Sequence, residues 1–353
     1  MKAYIRSSAC ISPQNTFGDN GFLTEIVEYN DTRLKAIELE YKNFIDPKLI
    51  RRMSHIIKMG VATAMECLSK GNVIMPGAII TGTAYGCLED TVSFLSRIVE
   101  QNEEMLPPTA FIQSTHNTVA AQIALMLQCH NYNNTFVHRG ISFESALLDA
   151  IMLLNENEAD NILVGGIDEI TDTSFTILSR LGLYKRQPVS NKSLYNSNSK
   201  GTIAGEGAAF FVLTDKKNDN NLAELTAIKS WFMLKEDEVG TKIAAFLADN
   251  NLGITNIDLI INGKKGDLKN DELYNKLGSS LFKNIPQANY KHLCGEYPTS
   301  TSFALWMAAN IIKNGNVPDG IMEGGVKPAS IKKILIYNRY LKYDSVMLVS
   351  AVQ

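Results

Sequence analysis

The sequence predicts an α/β protein built from two packed halves, and three observations carry that expectation. Short apolar runs alternate with longer segments of helical periodicity, the pattern of strands buried on both faces under covering helices. The chain has 353 residues, 45% hydrophobic and 20% charged, enough for a large core and more than one average domain needs. The polar stretch DKKNDNN at 215–221 lies between two strand–helix regions and cannot bury apolar area. It divides the chain into an N-terminal half, 1–217, and a C-terminal half, 218–353.

The elements follow in chain order. Strands are expected at 3–5 (AYI), 78–81 (AIIT), 134–137 (NTFV), 161–165 (NILVG), 208–213 (AAFFVL), 259–262 (LIIN), 333–337 (KILIY) and 345–349 (SVMLV). Each is a short run rich in apolar or β-branched side chains. Helices are expected at 49–70, 119–128, 142–156, 240–250, 271–277 and 300–313, where the apolar positions recur with helical spacing. Gly82 and Gly86 in GTAYG follow a strand, where glycine permits a tight turn or a close backbone approach. VGGID at 164–168 and GEGAA at 205–209 flank strands in the same way. None of the three has the spacing of a phosphate-binding loop or a dinucleotide fingerprint, so each reads first as structural.

Bulk properties exclude several classes. Lys plus Arg total 34 against 37 for Asp plus Glu, a net charge of −3, without the basic excess of a nucleic-acid scaffold. No apolar run approaches the roughly 20 residues that span a bilayer. The opening MKAYIRSSACISP places Arg6 and polar residues where an export signal needs an apolar stretch. The five cysteines, Cys10, Cys67, Cys87, Cys129 and Cys294, are scattered and odd in number. Reduced thiols of a cytoplasmic protein fit them, and neither a disulfide framework nor a zinc site is indicated. No cofactor or metal is expected.

An ordered set of motifs spans almost the whole chain. It runs AYIRSSACISPQNTFG, IDPKLIRRMSHIIKMGVATAMECL (45–68), ITGTAYG, THNTVAAQIAL (115–125), LVGGIDE (163–169), GTIAGEGAAFFVL (201–213), AELTAIKS and NIDLIING. In this order the set resembles the β-ketoacyl synthase family of the thiolase superfamily. The resemblance implies a thiolase fold: two similar halves, each a sheet covered by helices, in a five-layer αβαβα sandwich that usually dimerises.

A condensing enzyme needs a thiolate to hold the acyl chain, and a helix N-terminus lowers the thiol's pKa. The resemblance places that cysteine in a strand-to-helix elbow, here TFVHRGISFESALLDA (135–150). Counting back from Ala146, Leu147 and Ala150, the nucleophile's position is Gly140, which cannot be acylated. No shift of register helps, because no cysteine lies between Cys129 and Cys294. The family's two histidines stabilise charge on the extender thioester. The first falls in INGKKGD at Gly263 or Lys264; the second falls in KHLCGE, where Lys291 and Gly295 keep their places and Glu296 replaces the imidazole. An ionised carboxylate only accepts hydrogen bonds and would repel an oxyanion. His292 is one step off that pattern. The family's final glycine-rich loop would fall at YNRYLKYDS (337–345), which has no glycine. Losing the nucleophile of a well-studied hydrolase costs on the order of 10⁶ in turnover, so condensation by this chain alone is not expected.

Other residues stay open between two readings. Lys291 and Glu296 either form an ion pair in the old pocket or point to solvent. His138 and Arg139 are a new acid/base and an anion anchor, or packing residues. His116 and Asn117 cap the helix after them or face a partner subunit. Phe111, Phe136 and Phe143 are core or tunnel wall, and Ser142, lacking a base, reads as a helix N-cap. The leading expectation is a non-catalytic subunit that pairs with an active β-ketoacyl-ACP synthase and helps shape its acyl tunnel, resembling chain-length factors. SFESALLDA and STHNTVAAQIAL resemble the subset associated with aryl polyene or flexirubin-type pigments. The alternatives are an acyl-transfer or decarboxylase enzyme using His138, Lys264 or Glu296, and a homodimer that binds acyl groups or acyl carrier protein.

Overall fold

The computed structural model describes residues 2–18, 22–324 and 326–352. Eleven strands form one sheet: β1 (Ala3–Ile11), β2 (Ala78–Gly82), β3 (Tyr132–Phe136), β4 (Asn161–Asp168), β5 (Gly207–Thr214), β6 (Ala223–Phe232), β7 (Leu259–Asn262), β8 (Gln287–Asn289), β9 (Met322–Glu323), β10 (Lys333–Tyr340) and β11 (Tyr343–Ser350). Their order is β9-β8-β7-β10-β11-β6-β1-β5-β4-β2-β3. Read outward from the middle, β1-β5-β4-β2-β3 and β6-β11-β10-β7-β8 repeat one connectivity. The two runs meet where β1 pairs antiparallel with β6 over Ala3↔Leu225, Tyr4↔Glu224 and Ile5↔Ala223.

Helices of eight residues or more are α1 (His55–Lys70), α2 (Leu88–Glu100), α3 (Thr118–Leu127), α4 (Ser142–Asn155), α5 (Asp172–Arg180), α6 (Glu236–Asp249), α7 (Glu272–Ser279) and α8 (Thr301–Asn314). Strand side chains alternate between faces, and the core divides accordingly. Ile80, Val164, Phe211, Ile261, Ile336 and Met347 face α4 and α8 in a shared central core. Ile79, Leu163, Phe210 and Val212 turn the other way, onto α1 and α3. Ile260, Leu335, Val346 and Leu348 turn onto α6 and α7. The layers are therefore helix, sheet, helix, sheet, helix, as the resemblance implied. α8 has eleven buried residues in its fourteen, which is why TSFALWMAANII carries almost no polar face.

Several elements differ from expectation. The helix expected at 49–70 is broken: a single turn, Pro47–Ile50, is started by Pro47 and by Asp46, whose carboxylate accepts from Lys48 N at 2.8 Å. Ser54 is then extended before α1 begins. The altered loop expected at 337–345 is a tight hairpin. β10 and β11 run on to pair Tyr340 with Tyr343, and Leu341 makes the turn at φ +54°. Gly82 has the close approach its motif suggested: a Cβ there would lie 2.6 Å from Phe143 N, where α4 abuts the end of β2. No helix among the described residues is long and apolar enough to cross a membrane.

Candidate functional site

The strand-to-helix elbow leads from β3 into α4. Ser142 fixes it: its Oγ donates to Arg139 O at 2.8 Å and accepts from His138 N at 2.8 Å. Ile141, not Ser142, occupies the cap position of α4, so the N-cap expectation for Ser142 is corrected; its hydroxyl fastens the turn instead. Arg139 sits at φ +52°, a strained backbone for a residue with a Cβ. Gly140 is buried, and what surrounds it decides the chemistry of the site. A Cβ at 140 would lie 2.7 Å from both Cβ and Cδ1 of Tyr340 and 3.0 Å from Cγ, well inside van der Waals contact. Tyr340, the last residue of β10, fills the space a side chain at 140 would need.

Tyr340 is 4% exposed. Burial, then its neighbours Tyr184, Tyr85 and Glu296, push its phenol well above 10. Its hairpin is tied down on several sides. Asp344 accepts from Arg339 Nε at 2.7 Å, Arg339 Nη2 at 3.0 Å and Tyr337 OH at 2.8 Å. Ser345 Oγ donates to Glu144 Oε1 at 2.7 Å, joining the hairpin to α4. Glu144 is buried, and its other oxygen has no hydrogen-bond partner. Burial pushes its carboxyl up to about 7, against the pull of Ser345, Thr301 and Lys291.

Lys291 and Glu296 form the buried ion pair. Lys291 Nζ, with no exposed side-chain surface, donates to Glu296 Oε1 and to Ser300 Oγ, each at 2.6 Å. Lys265 Nζ stands 4.0 Å from Glu296 Oε2, an oxygen with no hydrogen-bond partner. The carboxylate is thus held between two lysines. Lys264, one residue earlier, points elsewhere and pairs with Glu323 at 2.9 Å. Gly263 is covered by Asn338 and Tyr274. The expected positions were Gly263 and Lys264; Lys265, which faces Glu296, lies one residue beyond them in the loop after β7.

Asp168 anchors the rear of the site. Its Oδ1 accepts from Thr83 Oγ1 (3.0 Å) and Ala84 N (2.8 Å), and its Oδ2 from Thr299 N (3.1 Å) and Thr299 Oγ1 (2.7 Å). GTAYG is thereby joined to the start of α8, and burial lifts the carboxyl to about 6 despite those four donors. His292 is buried elsewhere, its Nδ1 3.2 Å from Tyr195 OH; burial lowers its imidazole to about 4. All five cysteines are buried, and Cys129, a bystander, donates weakly to Pro76 O at 3.7 Å.

The remaining candidates lie outside this cluster. His138 is exposed, with Nδ1 3.1 Å from Ser145 Oγ, and Arg139 is exposed beside it. His116 is exposed and covers Gly86; Asn117 precedes α3 without a side-chain cap bond, its Oδ1 accepting from Thr115 Oγ1 at 2.8 Å. Phe143 is core, tilted against Phe211 at 5.8 Å, while Phe136 is half-buried and Phe111 exposed. Tyr340, Tyr85, Tyr184, Lys265, Glu144 and Asp168 are the site residues that sequence reasoning missed.

Comparison with known proteins identifies the scaffold. The family model for the β-ketoacyl synthase N-terminal domain matches residues 30–224, more than half of the 353. The chain belongs to the β-ketoacyl synthase family. No curated protein matches it. Among solved structures it is similar to the ishigamide ketosynthase/chain length factor, with TM-score 0.80, 16% identity, and 100% of this chain and 99% of that one covered. It is similar to a β-ketoacyl synthase from Burkholderia phymatum STM815, with TM-score 0.81, 12% identity and both chains covered at 100%. A third is the ketosynthase ApeO in complex with its chain length factor ApeC from Xenorhabdus doucetiae, with TM-score 0.77, 15% identity, and 99% and 98% covered. These identities speak to the fold, and the β-ketoacyl synthase fold runs the full length of the chain.

Proposed function

We propose that this protein is a non-condensing β-ketoacyl synthase subunit that pairs with an active β-ketoacyl-ACP synthase and helps bound its acyl tunnel. One observation carries the reading: at the elbow, Gly140 offers no nucleophile and Tyr340 takes up the space one would use. Around it, a buried Lys291–Glu296 pair stands where the second histidine was expected, and a hairpin replaces the glycine-rich loop. Gly263, at the first histidine's position, is likewise closed over. Two of the similar structures are recorded as ketosynthase–chain length factor pairs, and another as a ketosynthase with its acyl carrier protein. This chain would act in the same kind of assembly, with carrier protein as a second partner. Division into halves at 217/218 is part of the same proposal.

A partner surface is available beside the elbow. β3 is an edge strand of the sheet, and Leu125, Tyr132, Val137, Leu148 and Met152 expose apolar area on it, just after it and on its neighbouring helices. An exposed strand edge with apolar flanks invites pairing with another chain. The enzyme alternative finds less support. His138 is a surface residue, Lys264 is paired with Glu323, and Glu296 is enclosed by lysines.

Co-expression with a ketosynthase bearing intact Cys/His/His tests the proposal. A stable heterodimer whose product length changes when Val137 or Met152 is enlarged is the expected result. A protein that ignores that partner and remains a homodimer would favour the binding-module reading. A chain that alone accepts an acyl group from a carrier thioester and extends it would sink both.

A further inference from the structure

We propose that His55 is a proton-operated latch holding the segment 30–39 over a cavity on the N-terminal half. His55, the first residue of α1, stands between two carboxylates from distant parts of the chain: Nδ1 is 3.3 Å from Glu38 Oε2, and Nε2 is 3.3 Å from Glu206 Oε1. The two are unequal, since the Glu38 side chain is 61% exposed and that of Glu206 only 2%.

A neutral imidazole has one N–H and one lone pair. Nε2 makes no hydrogen bond to Glu206, so the two contacts are ionic, and only the imidazolium attracts both carboxylates. Glu206 is fixed by two backbone donors, Ala36 N at 3.0 Å and Ile170 N at 2.9 Å. The contact that yields on deprotonation is accordingly the exposed one, to Glu38.

Beyond residue 36 the segment's other holds are one backbone bond at Ile37 and the packing of Leu39 against the core. Leu34 pairs with Gly205, Arg33 bonds Asp172 at 2.6 Å and lies over the Phe175 ring, and Ile37 N donates to Ser12 O at 3.0 Å. Residues 35–40 have no regular structure. Beneath them is a cavity of about 520 Å³ lined by Lys35, Glu38, His55, Glu89, Glu169 and Glu206, among others.

The charged and titratable groups around His55 come from every neighbouring element: Lys35 and Glu38 from the segment, Glu206 before β5, Glu169 after β4, Glu89 and Asp90 from α2, Asp172 from α5, and Tyr41. Negative charge dominates. Burial opposes a charge on His55, but Glu206, Glu38 and Glu169 outweigh it and raise the imidazole above its ordinary 6.5. The latch is thus closed below that raised value and releases as pH rises through it. Release leaves Glu38 facing Glu206 and Glu169 with no cation between them.

Amide hydrogen exchange on the full chain, corrected for the intrinsic pH dependence of exchange, tests this from pH 5.5 to 9. Protection of 36–40 should fall on the order of tenfold across the His55 titration, read in parallel by NMR, while α8 stays unchanged. His55→Gln should show the high-pH level at every pH. Glu38→Gln, a surface change that leaves the core intact, should flatten the profile in the same way. A wild-type segment whose protection is flat while His55 titrates, or a pH step that survives in Glu38→Gln, would overturn the latch.

Discussion

If Tyr340 occupies the space of a side chain at position 140, adding one methyl group there must strain the protein, and removing the whole tyrosine side chain, Cβ included, must relieve that strain. Gly140→Ala is the smallest such change. Its Cβ would fall 2.7 Å from two carbons of Tyr340 and 3.0 Å from a third, about an ångström inside the optimal separation of carbon atoms. Tyr340 is anchored by a hairpin that Asp344 and Ser345 hold in place, so it cannot retreat freely. Overpacking of this kind costs about 1–3 kcal/mol. At about 2.1 cal/mol/K per residue, that corresponds to a Tm lowered by roughly 1–4 °C in a chain of this length. In a Tyr340→Gly background, which removes the Cβ as well as the ring and is itself destabilised by about 3–5 kcal/mol or more through the cavity it opens, the sign should reverse. The methyl then enters empty space, and replacing glycine restricts the unfolded chain, which stabilises by about 0.4–1 kcal/mol. The assay is a double-mutant cycle by denaturant unfolding at fixed pH. Costs for Gly140→Ala that agree within about 0.5 kcal/mol in the two backgrounds would mean the residues do not compete for space, and the argument that this elbow excludes a nucleophile would fail.

Three further predictions follow from the same cluster. Glu296→Ala should cost about 3–5 kcal/mol, because it strands the Lys291 ammonium in the core; Glu296→Gln, which keeps an acceptor, should cost less, and denaturant melts of the two compare them. Asp344→Ala should cost a similar amount by removing the acceptor shared by Arg339 and Tyr337, and should raise exchange in 337–345 before the rest of the sheet. Glu144 holds its proton up to about 7 in the native state against an ordinary 4.5, so the native state binds more protons than the unfolded chain over that interval. Stability should therefore decline as pH rises from 4.5 to 7 and level off above, and the Glu144→Gln variant, followed by thermal melts across pH, should lose that part of the slope.

The fold was legible where its signal is local. Every expected strand exists, because runs such as LIIN and SVMLV are apolar on both faces whatever surrounds them. What escaped were elements whose cues are weak or distributed. α2 has no fully buried residue, and β8 is three residues long. The hairpin read as a loop because YLKY contains none of the Gly, Asn or Asp residues that normally adopt a left-handed turn; Leu341 adopts one nonetheless. At the elbow, the lack of a side chain at position 140 is plain from the sequence. Its complement is not, since Tyr340 lies two hundred residues away and a contact of that range leaves no trace in spacing. Lys264 and Lys265 show the same limit at short range, where one step along the chain exchanges a rim cation for one facing Glu296.

The short ladder between β1 and β6 has a bearing on how the molecule fails. Ala3, Tyr4 and Ile5 bridge a five-stranded and a six-stranded array that would otherwise each end in open backbone donors and acceptors at that margin. Severing the chain near residue 217 would bare one raw border on each fragment, on sheets whose inner faces are almost wholly aliphatic. Pieces produced separately should cling to one another or to copies of themselves, so the intact polypeptide is the smallest unit in which neither array is left sticky at the seam.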